Sequence, residues 1–274
     1  MVLVYKMLAA FANFFIFFWF IINPTLAHEF WIEPKKYYLE KGDILSASLF
    51  VGQDFFGYEN PYVEDNFVRF EVLSKGGVRN VNGRIGDRPA LNLIPLHTGL
   101  NIIVYQSTPT YMTYNNFDKF VDFTKEKGFP ELPEEHLSYD FPETGFIESY
   151  TRFSKSYVSV LNSKGADKFS GMEFEWVMEN TNLNNSVDEE IYFSLYYDGA
   201  PHPNSLVTVF SKNNKGEVER SISKTDERGF FKLMPTLNTS YLMDSVIIRK
   251  INPSANPEGA IWESLWASAT FKIE

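Results

Sequence analysis

Hydrophobic and polar positions along the chain fall into three regimes. From His28 to about Gln106, short apolar runs are divided by Gly, Asn and Pro, the pattern of antiparallel strands joined by turns. Ile44–Val51 partly alternates between Gly42-Asp43 and Gly52, and Phe67–Leu73 alternates until Lys75-Gly76-Gly77. Leu100–Tyr105 is β-branched. These runs predict three strands, the second leading into a hairpin turn.

The middle of the chain changes period. Phe117, Phe120 and Val121 stand at i, i+3 and i+4, and Gly128 follows, which predicts a short amphipathic helix over 116–127. Pro130–Pro142 is polar and reads as an exposed loop carrying His136. Periodicity leaves Thr144–Val160 open between a second helix and a helix entering a strand.

From about Gly171 the β pattern returns. Met172–Met178 and Glu190–Tyr197 bracket the Asn-rich loop Asn180–Ser186. Leu206–Phe210, Val218–Ser223, Gly229–Leu233, Val246–Lys250 and Ser268–Ile273 follow. The expectation is a mostly β protein of two antiparallel β-sandwich domains, with one or two short helices in the first. The first covers 28–185 and the second 186–274, with the boundary in the Asn180–Asp188 loop.

Residues 1–27 stand apart. Met1–Lys6 carries one positive charge, Met7–Ile22 is apolar except for Asn13, and Thr25-Leu26-Ala27 offers a small-x-small exit. This predicts a secretory signal peptide cleaved after Ala27, which makes His28 the mature N-terminus. The apolar run is shorter than the ~20 residues a spanning helix needs, so no stable membrane insertion is expected after cleavage. The mature protein is expected to be soluble and periplasmic or otherwise exported.

Charge and composition narrow the function. Asp plus Glu total 35 against 25 Lys plus Arg, a net charge of -10, which disfavours nucleic acid and anionic lipid as partners. The absence of cysteine excludes disulfides, thiolate metal sites and a thiol nucleophile. Aromatic residues make up 17% of the chain and must supply the core that disulfides do not. No GxSxG, HExxH or phosphate-loop pattern occurs, so an enzyme is not expected.

Three groups of residues can carry chemistry. The α-amine and imidazole Nδ1 of an N-terminal His28 can chelate one metal ion in a six-membered ring, a nitrogen pair that suits Ni(II) or Cu(II). His97 and His202 precede or turn between strands, where each can reach a sandwich rim. Tyr150, Arg152 and Lys155 form the second group: Arg152 either binds a carboxylate or phosphate through its planar fork or belongs to a structural ion pair. Trp262, Glu263 and Trp266 form the third, an aromatic platform with one acid or a seal on a sandwich edge. Asp226–Gly229 reads as a hairpin turn.

The start Ala27-His28-Glu29-Phe30-Trp31-Ile32-Glu33-Pro34 resembles the opening of an exported bacterial family catalogued as domain of unknown function 4198. Its members are often named nickel-uptake or cobalt-transport periplasmic components. Further matching stretches are Val51–Gly57, Gly99–Pro109, Tyr150–Lys155, Asp198–Pro201, Thr225–Phe231 and Trp262–Ala267. The resemblance implies a second sandwich of transthyretin or carboxypeptidase-regulatory type. It also implies binding of Ni(II) or Co(II), with Cu(II) added by the nitrogen pair of His28 alone, and a metal transporter or outer-membrane receptor as partner. On the residues themselves His28 would be the primary ligand, with His97 and His202 as further candidates; Gln53 and Arg249-Lys250-Ile251 stand where relatives often carry a histidine. Two other functions remain open on the sequence. One is a non-metal binding or scaffold module for a protein or glycan. The other is a histidine-brace copper oxygenase, pairing His28 with His97 or His202.

Overall fold

Both faces of one long strand are covered, and that fact organises the molecule. The computed structural model describes residues 28–95, 97–180, 183 and 189–273; the expected signal peptide lies outside the described residues. The central strand is β10 (Phe146–Val160), in a ten-stranded sheet. The sheet runs in the order β15 (Val218–Lys224), β14 (Leu206–Lys212), β17 (Thr239–Lys250), β18 (Trp262–Ile273), β10, β8 (Gly99–Ser107), β5 (Phe67–Ser74) and β6 (Gly77–Asn80). The short strands β2 (Tyr38–Leu39) and β9 (Thr110–Tyr114) also pair with β10.

A smaller sheet lies against each face. One joins β1 (Glu29–Pro34), β3 (Leu45–Gln53) and β4 (Phe56–Asn60), with β7 (Leu91–Leu93) on β3. The other joins β11 (Phe174–Met178), β12 (Ile191–Tyr197) and β13 (Ala200–Pro201), with β16 (Phe230–Leu233) on β12. Period-two alternation divides the central strands between them. Phe153 and Tyr157 of β10, with Leu100, Ile102 and Val104 of β8, pack in the core that holds Phe174, Trp176 and Phe193. Val158, Val160, Ile103 and Tyr105 pack instead with Phe30, Ile32, Leu45 and Leu49. The fold is mostly β and of sandwich type. β11 and β12, on either side of the 180–188 segment, are paired with each other.

Two helices, α1 (Phe117–Glu126) and α2 (Leu132–Ser138), cover the end of the sheet formed by β9, β10 and β18. The helix expected over 116–127 is α1: Asn116 caps it by accepting the Asp118 N–H at 2.8 Å, and Gly128 follows at φ +91°. Two expectations are corrected. Thr144–Val160 holds the strand β10 and no helix. Its faces are both buried, and Ser154 and Ser156 accept cross-strand hydrogen bonds from Ser268 and Thr270 at 2.8 Å, so polar residues sit inside and erase the period. Pro130–Pro142 holds α2 instead of an exposed loop, with Leu132 and His136 buried one turn apart. β17 and β18 also extend further toward their N-termini than the expected Val246–Lys250 and Ser268–Ile273.

Candidate functional site

Alternation on β10 separates the residues grouped as Tyr150, Arg152 and Lys155. Lys155 faces the core, its side chain 1% exposed. Its Nζ pairs with Asp167 at 3.1 Å and with Glu175 at 2.6 Å, and donates to the Lys168 carbonyl at 3.2 Å. Tyr157 donates to the other Asp167 oxygen at 2.7 Å. Every charge here has an opposite charge, as buried ions require. Lys155 therefore ties the 161–175 segment to the sheet.

Tyr150 and Arg152 face the other way. The Arg152 guanidinium carbon lies 5.2 Å from the Tyr150 ring centre and 5.7 Å from that of Phe30. Its Nε and Nη1 are out of contact with water and have no hydrogen-bond partner, and among the described residues it forms no ion pair. Burial draws its pKa below the usual arginine value, opposed by Tyr150, Asp244, Tyr105 and Glu29. The acids on this side are already engaged. Lys127, just past α1, lies 3.3 Å from both Glu29 and Asp244 and 4.7 Å from the Trp266 ring centre. Burial raises the pKa of both acids, and Glu29 Oε2 and Asp244 Oδ1 accept no hydrogen bond.

Arg152 and Tyr150 line a cavity of about 300 Å³. Strands β1, β3, β8, β9 and β10 supply Phe30, Val51, Tyr105, Thr110 and the pair itself, and the segment after β4 adds Val63. Asn60, at the end of β4, also lines it, and its Nδ2 is buried without a partner. Arg152 and Asn60 both line the hollow, while the donor atoms left without a partner, Arg152 Nε and Nη1 and Asn60 Nδ2, are buried in its wall. Each unmade bond at a buried donor costs roughly 1–3 kcal/mol, more for a charged group, and two aromatic faces return only about 0.5–2 kcal/mol to the cation.

A second hollow of about 170 Å³ shares Tyr150 and Arg152 and is also lined by Glu148 and Trp266. Burial pushes the Glu148 carboxyl up to about 7, against hydrogen bonds from Ser264 and from Tyr114 at 2.7 Å. Trp266 Nε1 donates to Ser264 Oγ at 2.9 Å, and Trp262 Nε1 donates to His136 Nδ1 at 2.9 Å. Both tryptophans are buried beneath the helices. Glu263 points to the other side of β18, where its carboxylate accepts from Arg249 Nε at 2.7 Å. The three do not form a common platform.

The histidines have separate surroundings. His28 precedes β1, and its Nδ1 is buried without a partner. His97 is exposed beside Gly76 of the β5–β6 turn. His202 lies 5.5 Å from Tyr197 and 6.0 Å from Phe174, ring centre to ring centre, and burial lowers its pKa. His136, read from the sequence as a surface residue of a polar loop, is instead fully buried among Phe117, Phe120, Phe141 and Phe146. With Nδ1 accepting from Trp262, its Nε2–H donates to the Pro142 carbonyl at 3.0 Å. Among the described residues no group of three or more His, Asp or Glu is placed to hold a metal ion.

The sequence reasoning named Arg152 but missed Asn60, Glu29, Lys127, Asp244 and Glu148. Tyr150 and Arg152 at i, i+2 on a strand would share a face, which was the available signal once β10 is read as a strand.

Fold and site together define a mostly β, sandwich-type protein with a small arginine-bearing cavity. The chain belongs to the family described as Domain of unknown function (DUF4198), whose model matches residues 25–248. No curated protein matches it. Solved structures with some likeness include a tetra-tandem repeat in the extending region of a large adhesion protein, at 9% identity and TM-score 0.20, covering 90% of this chain and 50% of that one. The D0-D1 domain of Intimin aligns at 12% identity and TM-score 0.21, covering 88% and 97%. Escherichia coli alpha-2-macroglobulin activated by porcine elastase aligns at 10% and 0.21, covering 90% and 20%. The chain spans half of the first and a fifth of the third, and likeness at these TM-scores carries no argument about fold or function.

Proposed function

We propose that the protein is an exported, non-catalytic binding module whose site is the Arg152 cavity. The observation that carries this reading is a guanidinium enclosed by aromatic rings, without an ion pair, at a hollow of ligand-binding size. Lys155, by contrast, pairs directly with two acids. Thr110 is exposed on the rim, so Thr110→Trp fills the opening without disturbing the core. A fragment screen by thermal shift on residues 28–274 tests the proposal. It expects fragments that raise Tm in the parent protein and not in Thr110→Trp. If every stabilising fragment acts equally on both, the cavity is not the site.

A second reading is favoured by the unpartnered Nδ1 of His28. With a free α-amine after Ala27, it offers two nitrogens to Ni(II), Co(II) or Cu(II), and a metal transporter or outer-membrane receptor would take the ion. The donor set fits a two-nitrogen chelate and not a full metal cage. Calorimetric titration of the authentic chain and of one with an extra N-terminal residue separates the cases. Equal affinity in the two removes the His28 role.

A further inference from the structure

We infer that the protein carries a ligand site separate from the Arg152 cavity, on the opposite face of the large sheet, and that its ligand is a free single-chain amphiphile with an anionic head. A hollow of about 540 Å³ lies there, within the size range of small-molecule sites. Its floor is apolar. Leu73 of β5 and Ile102 of β8 are cross-strand partners, and Leu100, two residues along β8, shares their face. Leu100 and Ile102 belong to the core around Phe174 and Trp176, and Leu73 packs against it, so the hollow opens onto that core. Tyr105, which lines the Arg152 cavity, has the opposite parity on β8 and packs in the other core.

The facing wall is the segment 164–168, pinned at both ends. The Lys164 carbonyl accepts the Leu100 N–H at 3.0 Å. The Asp167 carboxylate accepts from Lys155 at 3.1 Å, from Tyr157 at 2.7 Å and from the Met178 N–H at 3.0 Å. Gly165 permits the close approach: its φ is +153°, and a Cβ there would stand 2.9 Å from Leu100 Cβ. Charge then sets the head group. Lys75 of the β5–β6 turn and Lys164 and Lys168 of the wall line the hollow, and all three are exposed. Among the described residues none of the three forms an ion pair. Asp167 is the one acid in the lining, and its side chain is 0% exposed and already met by Lys155. Three cations without acids, gathered at one apolar hollow, complement an anion with an apolar body. The tail would cover Leu73, Leu100 and Ile102, and the head would lie among the ammonium groups. Lysine suits a head held at the edge of water, since it offers a point charge on a flexible stem. A net charge of -10 disfavours approach to an anionic membrane, which favours a free amphiphile over a lipid surface.

Isothermal titration of residues 28–274 with decanoate, decanol and decyltrimethylammonium, each below its micelle concentration, tests the inference. Decanoate is expected to bind about tenfold more tightly than decanol, and decyltrimethylammonium more weakly than both. Lys75→Gln, Lys164→Gln and Lys168→Gln combined should bring decanoate down to the affinity of decanol and leave decanol unchanged. All three positions are exposed, so the fold is retained. Ala166→Trp, at an exposed position of the wall, should abolish binding of both, whereas Thr110→Trp, which fills the Arg152 cavity, should change neither. Decanoate binding lost in Thr110→Trp and kept in Ala166→Trp would move the ligand to the Arg152 cavity and overturn the separate site. Equal affinity for decanoate and decanol would overturn the anionic head, and no binding by any of the three would overturn the site. Sedimentation with phosphatidylglycerol vesicles separates the two sources of such a head. The protein is expected to stay in solution; cosedimentation that the triple lysine variant loses would assign the lysines to a lipid surface and overturn the free ligand.

Discussion

Lys155 and Arg152 are cations on one strand, turned to opposite faces of the same sheet. Lys155 is closed in by Asp167, Glu175 and a carbonyl. Arg152 meets two rings and a cavity, and among the described residues it forms no ion pair. The first arrangement is what a fold needs from a buried charge. The second leaves strong donors without partners, which a fold alone would not select. The difference teaches that enclosure of a charge does not by itself mark a structural role; the supply of opposite charges does.

The comparison can be broken at several points, with the largest effect at Lys155. Lys155→Met leaves Asp167 and Glu175 buried without their cation, and is expected to cost about 3–5 kcal/mol in urea denaturation. A loss below 1 kcal/mol would show that the network does not hold the fold. Glu148, on the Arg152 side, gives the next effect through pH. Folding raises its pKa from 4.5 to about 7, chiefly by burial, so between those values the folded state holds a proton that the unfolded chain has released. Stability from this group is therefore full at low pH and falls as pH rises from about 4.5 to about 7, by about 3 kcal/mol at most. Glu148→Gln should flatten that part of the profile relative to the parent protein, and identical profiles would contradict the assignment.

Smaller changes sharpen the contrast. Tyr157→Phe removes one hydrogen bond to Asp167 and should cost roughly 1–2 kcal/mol by thermal denaturation. Arg220 pairs with Glu126 at 3.3 Å on a solvent-facing edge. Arg220→Ala should cost less than about 1 kcal/mol, because exposed pairs contribute little. A larger loss there would mean that pairing alone, without burial, sets the scale.

Much of the fold was legible along the chain. Alternation bounded by glycine marked the strands beginning at Leu45, Phe67 and Gly99, and the i, i+3, i+4 spacing marked α1. Legibility failed where tertiary burial overrode pattern. β10 is covered on both faces and lines its contact with β18 with serine and threonine, so neither period survived. α2 was hidden because proline, glutamate and histidine count as polar, while His136 is in fact the centre of an aromatic cluster. At the site, the sequence offered Arg152 with two readings and could not choose, because the choice depends on acids elsewhere. Asp167 and Glu175 went to Lys155, whereas Glu29 and Asp244 went to Lys127. Asn60 reaches the cavity only through the pairing of β4 with β3.

Urea denaturation of Arg152→Met beside the parent protein tests the central claim most directly. If Arg152 is kept for a ligand, replacing its unpaired charge with an apolar chain of similar length leaves stability within about 1 kcal/mol of the parent or raises it. A loss of 3 kcal/mol or more, the size expected at Lys155, would contradict the account and make Arg152 a structural cation.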